Sequence, residues 1–348
     1  MHRNTRRFAA LLLLTLSAAC GSDGYQPITM QPPPPPPPPS ARDGLWTVSG
    51  APSGILQFAP ELLTVAGNHE PTNSLRTTSA NLLVSMGIAF DETGSLWISS
   101  QDDAKLLRLS PERLGQNTNS AASVIISANQ GSLNQPAGIA FDATHHLWVA
   151  NRGNGTLVRY DQGQLDGSGT PVPTVTISGV GRPTGLAFDA AGALWVSDNQ
   201  ANTLVKYAPA QLRATGTPEP EVVVNDLANR LVNPAGLAFD AAGNLWVANT
   251  GNQRVLRFTP TQLAPGAQPT AGVALRSDDA SLPDPIGLAV DKNGALWVMN
   301  VSGALEQFAP AQLSRAAAPT PTTTIHLPGF NLLLGLAFWP LPAGLPLR

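Results

Sequence analysis

Three observations in this 348-residue sequence predict an all-β protein, a six-bladed β-propeller closed by pairing of its N- and C-terminal strands in one blade. A Leu-Trp pair recurs, with its tryptophan at Trp46, Trp97, Trp148, Trp195, Trp246 and Trp297. A strand-opening glycine recurs at Gly87, Gly138, Gly185, Gly236, Gly287 and Gly335. The two ends of the array each hold half a unit. A period of about fifty residues with four strand-like pieces is one propeller blade.

Each complete unit opens on a segment such as "GLAF", turns through one such as "DAAG" (Asp240 to Gly243) and continues as in "NLWVAN". A loop such as "TGNQ" leads to "RVLRF", and a Pro/Thr-led strand such as "PTVTI" (Pro173 to Ile177) ends the unit. Apolar and polar residues alternate with period two, and turn residues punctuate the pieces. Leu45-Trp46 has no "GLAF" before it, and the last "GLAF" at Gly335 has no Leu-Trp after it. Together they complete one blade: the C-terminal piece is its inner strand, and an outer strand is expected near Thr72–Thr77. Such closure removes the sheet edges of a linear array. Trp339 is expected just past the inner strand and marks no seventh blade.

After each third strand comes a one-turn helix signal: "APELL" at Ala59, "SPERL" at Ser110, "DQGQL" at Asp161, "APAQL" at Ala208, "TPTQL" at Thr259 and "APAQL" at Ala309. Proline at the first helical position loses no hydrogen bond, Ser110 or Thr259 can cap, and the final leucine is expected under the blade.

Composition narrows the function classes. Apolar residues make up 43%, charged residues only 12%, and the net charge is −3. Nucleic-acid binding would need a basic stripe, which is missing. The N-terminus reads as an export signal over residues 1–19. Arg3, Arg6 and Arg7 precede an apolar run from Phe8 to Leu16, which is too short for a mature membrane span. "LSAAC" follows, and Cys20 is the only cysteine. The segment resembles a bacterial lipobox with Cys20 lipidated, although Ser17 stands where that pattern prefers leucine. The alternative is ordinary cleavage after Ala19, leaving a free thiol. Residues 20–43 form a tether whose eight prolines, Pro32 to Pro39, favour a polyproline II rod. At about 3.1 Å per residue it reaches ~25 Å. The domain then occupies residues 44–348. Localisation is expected at the bacterial cell envelope, attached to the membrane through the lipid alone, or outside the cell.

"PAGLAFDAAGNLWVANTGNQRVLRF" (Pro234 to Phe258) resembles an NHL repeat. The resemblance extends over residues 44–338. It implies a wider six-bladed group that includes streptogramin B lyases, gluconolactonase-like enzymes and many non-enzymatic binding modules. A fold of this kind hosts many functions, so function has to be argued from the site.

The b–c loops and blade-to-blade crossovers share one face, and the a–b and c–d turns share the other. The crossovers begin at Val84, Gln135, Arg182, Asn233, Asp284 and Leu332; the b–c loops begin at Ser49, Ser100, Asn151, Asp198, Asn249 and Asn300. The ring is polar over Gln135, Arg182, Asn233 and Asp284 and apolar over Val84 and Leu332. These four, with Asn151, Asp198 and Asn249, are the candidate ligand-binding residues for a protein or an amphiphilic small molecule. The competing reading is that the crossover prolines stiffen turns and the loop-initiating Asn residues tie loop backbone together.

The resemblance to streptogramin lyases implies a histidine general base with bound Mg²⁺. His69, His145, His146 and His326 all fall on the opposite face or an outer strand, so the sequence departs from that pattern. Gluconolactonase-like enzymes hold a metal with Glu, Asn and Asp, and no glutamate lies on the crossover face. Asp102, Asp103, Asp198, Asn199 and Asp284 are the hard oxygen donors there that would suit Ca²⁺ or Mg²⁺. No cofactor and no catalytic residue is assigned. Two functions follow: a monomeric, non-catalytic module that binds a protein or small ligand, or a metal-assisted lyase or lactone hydrolase.

Overall fold

The computed structural model describes residues 42–342, apart from 81, 83, 116–118, 120, 226–230, 268–270, 277–282 and 315–318. The export signal, Cys20 and the polyproline rod lie outside the described residues. Six antiparallel sheets form, one per sequence unit. The closing blade runs, from the inside outward, Asn331–Trp339, Gly44–Ala51, Ser53–Phe58 and Asn73–Leu75. Blade 2 follows as Ile88–Phe90, Leu96–Ser100, Lys105–Leu109 and Val124–Ser127. Blade 3 is Pro136–Phe141, Leu147–Asn151, Thr156–Tyr160 and Val175–Ser178. Blade 4 is Pro183–Phe188, Leu194–Asp198, Thr203–Tyr207 and Val222–Val224. Blade 5 is Pro234–Phe239, Leu245–Asn249, Arg254–Phe258 and Val273–Arg276. Blade 6 is Pro285–Val290, Leu296–Asn300, Ala304–Phe308 and Thr323–His326.

The ring closes where the half repeats meet. Leu45 pairs with Phe338 and Trp46 with Ala337, with a bulge after Thr47. Thr47 Oγ1 donates to the Gly335 carbonyl at 2.9 Å. Trp339 belongs to this inner strand instead of lying past it, and its ring packs 5.2 Å from Phe90 of blade 2. Arg42 sits 5.7 Å over the Trp339 ring and its carbonyl accepts the Trp46 indole N–H at 3.0 Å. Contacts with the closing blade therefore begin two residues before the expected boundary at residue 44.

The hydrophobic core is a set of six blade interfaces. Each buried tryptophan meets the inner-strand phenylalanine of the next blade edge-on, as in Trp97–Phe141 (6.4 Å) and Trp297–Phe338 (6.3 Å). Trp246 meets Val290 instead, where the repeat reads "GLAV". Outside the closing blade, where the Trp46 indole goes to the Arg42 carbonyl, the turn aspartate fixes the indole. Asp189 Oδ1 accepts the backbone N–H of Ala191 and Ala193, while Oδ2 accepts the Trp195 indole N–H at 3.1 Å. The same bonds form from Asp91, Asp142, Asp240 and Asp291. Asp-x-x-Gly was read from sequence as a turn; it is also the anchor for the tryptophan six residues on.

The one-turn helix signals resolve into short helices in four blades and into turns at Ala208 and Thr259. Ser110 makes no side-chain cap. The cap comes instead from a repeated glutamine. Gln211 Oε1 accepts the Ala208 N–H at 2.8 Å and its Nε2 donates to the Glu219 carbonyl at 2.6 Å. Gln164 and Gln312 do the same. Each glutamine thereby staples the third strand's exit to the outer strand's start. The leucines that end the motif are buried, from Leu63 to Leu313.

Three outer edges, those of blades 2, 3 and 6, are covered by a neighbouring segment. Ile126 bridges in parallel to Gly169, Ile177 to Gly216, and Thr323–His326 pairs with Gly67–Asn68. Open edges are templates for aggregation, and this overlap hides them.

Candidate functional site

The crossover face is built by one bond repeated in four of the six blades. The carbonyl of the first crossover residue accepts the N–H of the second b–c loop residue. Gln101 donates to Val84 (3.0 Å), Arg152 to Gln135 (3.2 Å), Asn199 to Arg182 (3.0 Å) and Val301 to Asp284 (3.3 Å). Gln135, Arg182, Asn233 and Asp284 are exposed, and each precedes a buried proline. Gln135, Asn233 and Asp284 adopt left-handed backbone with φ of 48°, 49° and 48°. A proline disfavours helical backbone in the residue before it, and non-glycine residues in this region store about 1–3 kcal/mol. The polar rim is held in a strained backbone by its surroundings.

The structure separates the candidates into two groups. Asn151, Asp198 and Asn249 are buried, and their polar atoms tie loop backbone. Asn151 accepts the Asn134 N–H at 3.0 Å and donates to the Ser132 carbonyl at 2.9 Å. Asn249 accepts the Val232 N–H at 2.7 Å. Asp198 accepts four backbone N–H groups, from Gly181 (2.8 Å) and from Arg182, Gln200 and Ala201 (3.0 Å each). Gln135, Arg182, Asn233 and Asp284 are the ones a ligand can reach. Sequence reasoning missed Arg152, the second residue of its b–c loop; its place beside the Gln135 crossover was the signal.

Inside the rim lies a central channel lined by Ile88, Ile139, Leu186, Leu237, Leu288 and Leu336 together with Met86, Thr184 and the inner-strand glycines. A Cβ on Gly185 would stand 2.2 Å from the Ala235 carbonyl oxygen, and one on Gly138 would stand 2.4 Å from that of Thr184. Glycine is required because neighbouring inner strands touch there. Among the described residues no ionisable side chain lines this channel.

The metal donors do not converge. Asp102 and Asp103 sit in the blade 2 loop, Asp198 and Asn199 in blade 4, and Asp284 at the crossover into blade 6. Among the described residues no three His, Cys, Asp or Glu side chains are placed to hold an ion. With the Asp198 oxygens on four N–H groups, the donor set does not fit the Mg²⁺ that the resemblance implies, nor the Ca²⁺ that the donor types suggest.

On the opposite face His145 Nε2 lies 3.0 Å from Glu92, bridging blades 2 and 3, while His146 Nδ1 lies 3.0 Å from Asp142. Hydrogen bonds from Thr144, the His146 backbone and Trp148 hold the Asp142 carboxyl below its usual range, although burial, the largest single influence, pushes the other way. His145 occupies the left-handed position (φ 64°) that Gly94, Gly192, Gly243 and Gly294 fill elsewhere. His145→Gly relieves about 1–2 kcal/mol of backbone strain and removes an exposed ion pair worth about 0–1 kcal/mol. Denaturant unfolding should show a change of about 0–2 kcal/mol, neutral or stabilising. A loss above about 2 kcal/mol would make His145–Glu92 a structural clamp.

The NHL repeat family matches residues 133–160, the first three strands of blade 3 with their lead-in. The family described as SMP-30/Gluconolactonase/LRE-like region matches residues 173–271. The chain is a six-bladed β-propeller, similar to the NHL repeat family over part of one blade. This propeller superposes on a protein of unknown function from Bacteroides caccae with a TM-score of 0.58 at 12% identity, over 84% of this chain and 98% of that one. On a chain of a nidogen/laminin complex it reaches 0.56 at 16% identity, over 84% and 96%. With virginiamycin B lyase from Staphylococcus aureus the TM-score is 0.48 at 12% identity, over 66% and 67%. Identities this low show a shared fold alone. No curated protein matches the sequence.

Proposed function

We propose that this protein is an exported, lipid-anchored NHL-like propeller that binds a protein or small-molecule ligand on its crossover face without catalysing a reaction on it. The observation that carries the reading is the rim: four exposed polar residues, three in strained left-handed backbone, around an apolar channel mouth. Backbone strain of this kind concentrates at binding sites. The apolar lining suits the carbon skeleton of a ligand, and Gln135, Arg182, Asn233 and Asp284 supply the orienting contacts. Export rests on the basic and apolar leader, and anchoring rests on Cys20 after "LSAA".

The test uses the full-length chain in a bacterial host. Labelled palmitate should enter the protein, and Cys20→Ala should abolish labelling; secretion of unlabelled protein with Cys20 intact overturns the anchor. Purified protein is then screened by thermal shift against organic acids, sugars and short peptides. Compounds that raise the Tm of the wild type should lose their effect in Asn233→Ala and Asp284→Ala and keep it in Glu92→Gln on the opposite face. Mg²⁺-dependent turnover of a lactone or a cyclic depsipeptide would refute the non-catalytic reading.

A further inference from the structure

We infer that Arg152 and Arg182 together form an oxyanion subsite on the crossover face, taking the carboxylate or phosphate group of the ligand. This rests on the reading of that face as a binding surface. Both residues are set in place by their backbones. The Arg152 N–H donates to the Gln135 carbonyl, and the Arg182 N–H to Asp198 Oδ1. The loop bearing Arg152 is pressed on the segment leading to Arg182: a Cβ on Gly155 would stand 2.2 Å from the Val180 carbonyl oxygen. Two cations thus come from adjacent pieces of chain.

Among the described residues neither has a counter-charge: no ion pair reaches either guanidinium. Asp198 is the nearby carboxylate, and both its oxygens already accept backbone N–H groups. Arg152 is half-buried, with its Nε enclosed and without a hydrogen-bond partner. Arg108, Arg159 and Arg257 also enclose Nε, but each places Nη1 on a leucine carbonyl of the next blade, at Leu165, Leu212 and Leu313. Those three are struts between blades; Arg152 makes no such bond. Burial, and then the charge of Arg182, lower the pKa of Arg152, as expected for a cation lacking an anion. An oxyanion between them removes the repulsion and can accept paired N–H bonds from planar guanidinium groups.

The experiment is calorimetric titration of the full-length protein with inorganic phosphate and with citrate, at ionic strength held constant with sodium chloride. Saturable binding of at least one is expected, and which one binds separates phosphate from carboxylate ligands. Arg152→Gln and Arg182→Gln should each weaken it about ten- to a hundredfold, the loss of a charged hydrogen bond. Without the anion each variant should melt no lower than the wild type, because a like-charge contact has gone. A merely structural role would lower the Tm and leave affinity alone. Should Arg152→Gln fail to fold, the exposed Arg182→Gln decides. No saturable binding by the wild type, or equal affinity in Arg182→Gln, overturns the subsite. If uncharged ligands still bind and respond to Asn233→Ala in that case, the crossover face stands and only the subsite falls.

Discussion

A chain ended at Pro328 should lose its cooperative unfolding transition altogether. That cut removes the strand Asn331–Trp339, which pairs with Gly44–Ala51 from Gly44↔Trp339 to Ala51↔Asn331. Two blade interfaces open at once. Leu333 and Leu336 leave the cluster holding Trp297 and Met299, and Ala337 leaves the one holding Trp46 and Phe90. Three buried leucines, Leu333, Leu334 and Leu336, go with it. At about 1.5–3 kcal/mol each they represent ~5–9 kcal/mol, comparable to the whole stability of an ordinary domain. The unpaired Gly44–Ala51 edge then invites association. Thermal and urea unfolding followed by circular dichroism should show a broad, shallow change in the shortened protein. An unchanged midpoint and slope would mean that closure contributes nothing.

Trp297→Ala should cost about 3–5 kcal/mol. The side chain is fully buried between blade 6 and the closing blade, edge-on to Phe338. Its indole N–H donates to Asp291, which is itself buried and also accepts the N–H of Asn293 and Ala295. Asp291→Ala leaves those three donors without their acceptor and should cost about 2–4 kcal/mol, within the range for unsatisfied buried groups. Residues that share a hydrogen bond do not add, so the double variant should lose about 0.5–3 kcal/mol less than the sum. Urea midpoints of the two single variants and the double variant check this. Additive losses would mean the aspartate serves only its turn.

The blade count, the strand order and the closure were legible because each unit repeats the same residues at the same period. Leu-Trp and the strand-opening glycine recur in six copies and the Asp-x-x-Gly turn in four, and such repetition averages out the noise in any one local signal. The unpaired halves at Leu45 and Gly335 carried the closure in the same way. What local pattern did not carry was partner choice. The Gln211 staple, the Asp189–Trp195 anchor and the Arg159–Leu212 strut each join residues whose types permit many other bonds.

The candidate site shows the same division more sharply. From sequence alone, Asn151, Asp198 and Asn249 were as plausible on a ligand as Gln135, Arg182, Asn233 and Asp284, since all are polar and all open a loop or a crossover. Burial and four backbone N–H groups around Asp198 separated them. Arg152 was overlooked because its loop position repeats as Gln101, Asn199, Thr250 and Val301, without a consistent residue type. The sequence by itself determined the architecture, because secondary structure and repeat register depend on neighbours a few residues away. Which polar side chains face outward, and which two cations stand together, was decided only when segments about thirty to three hundred residues apart packed into one ring. Desolvation and charge proximity are properties of that packing, and no single segment contains them.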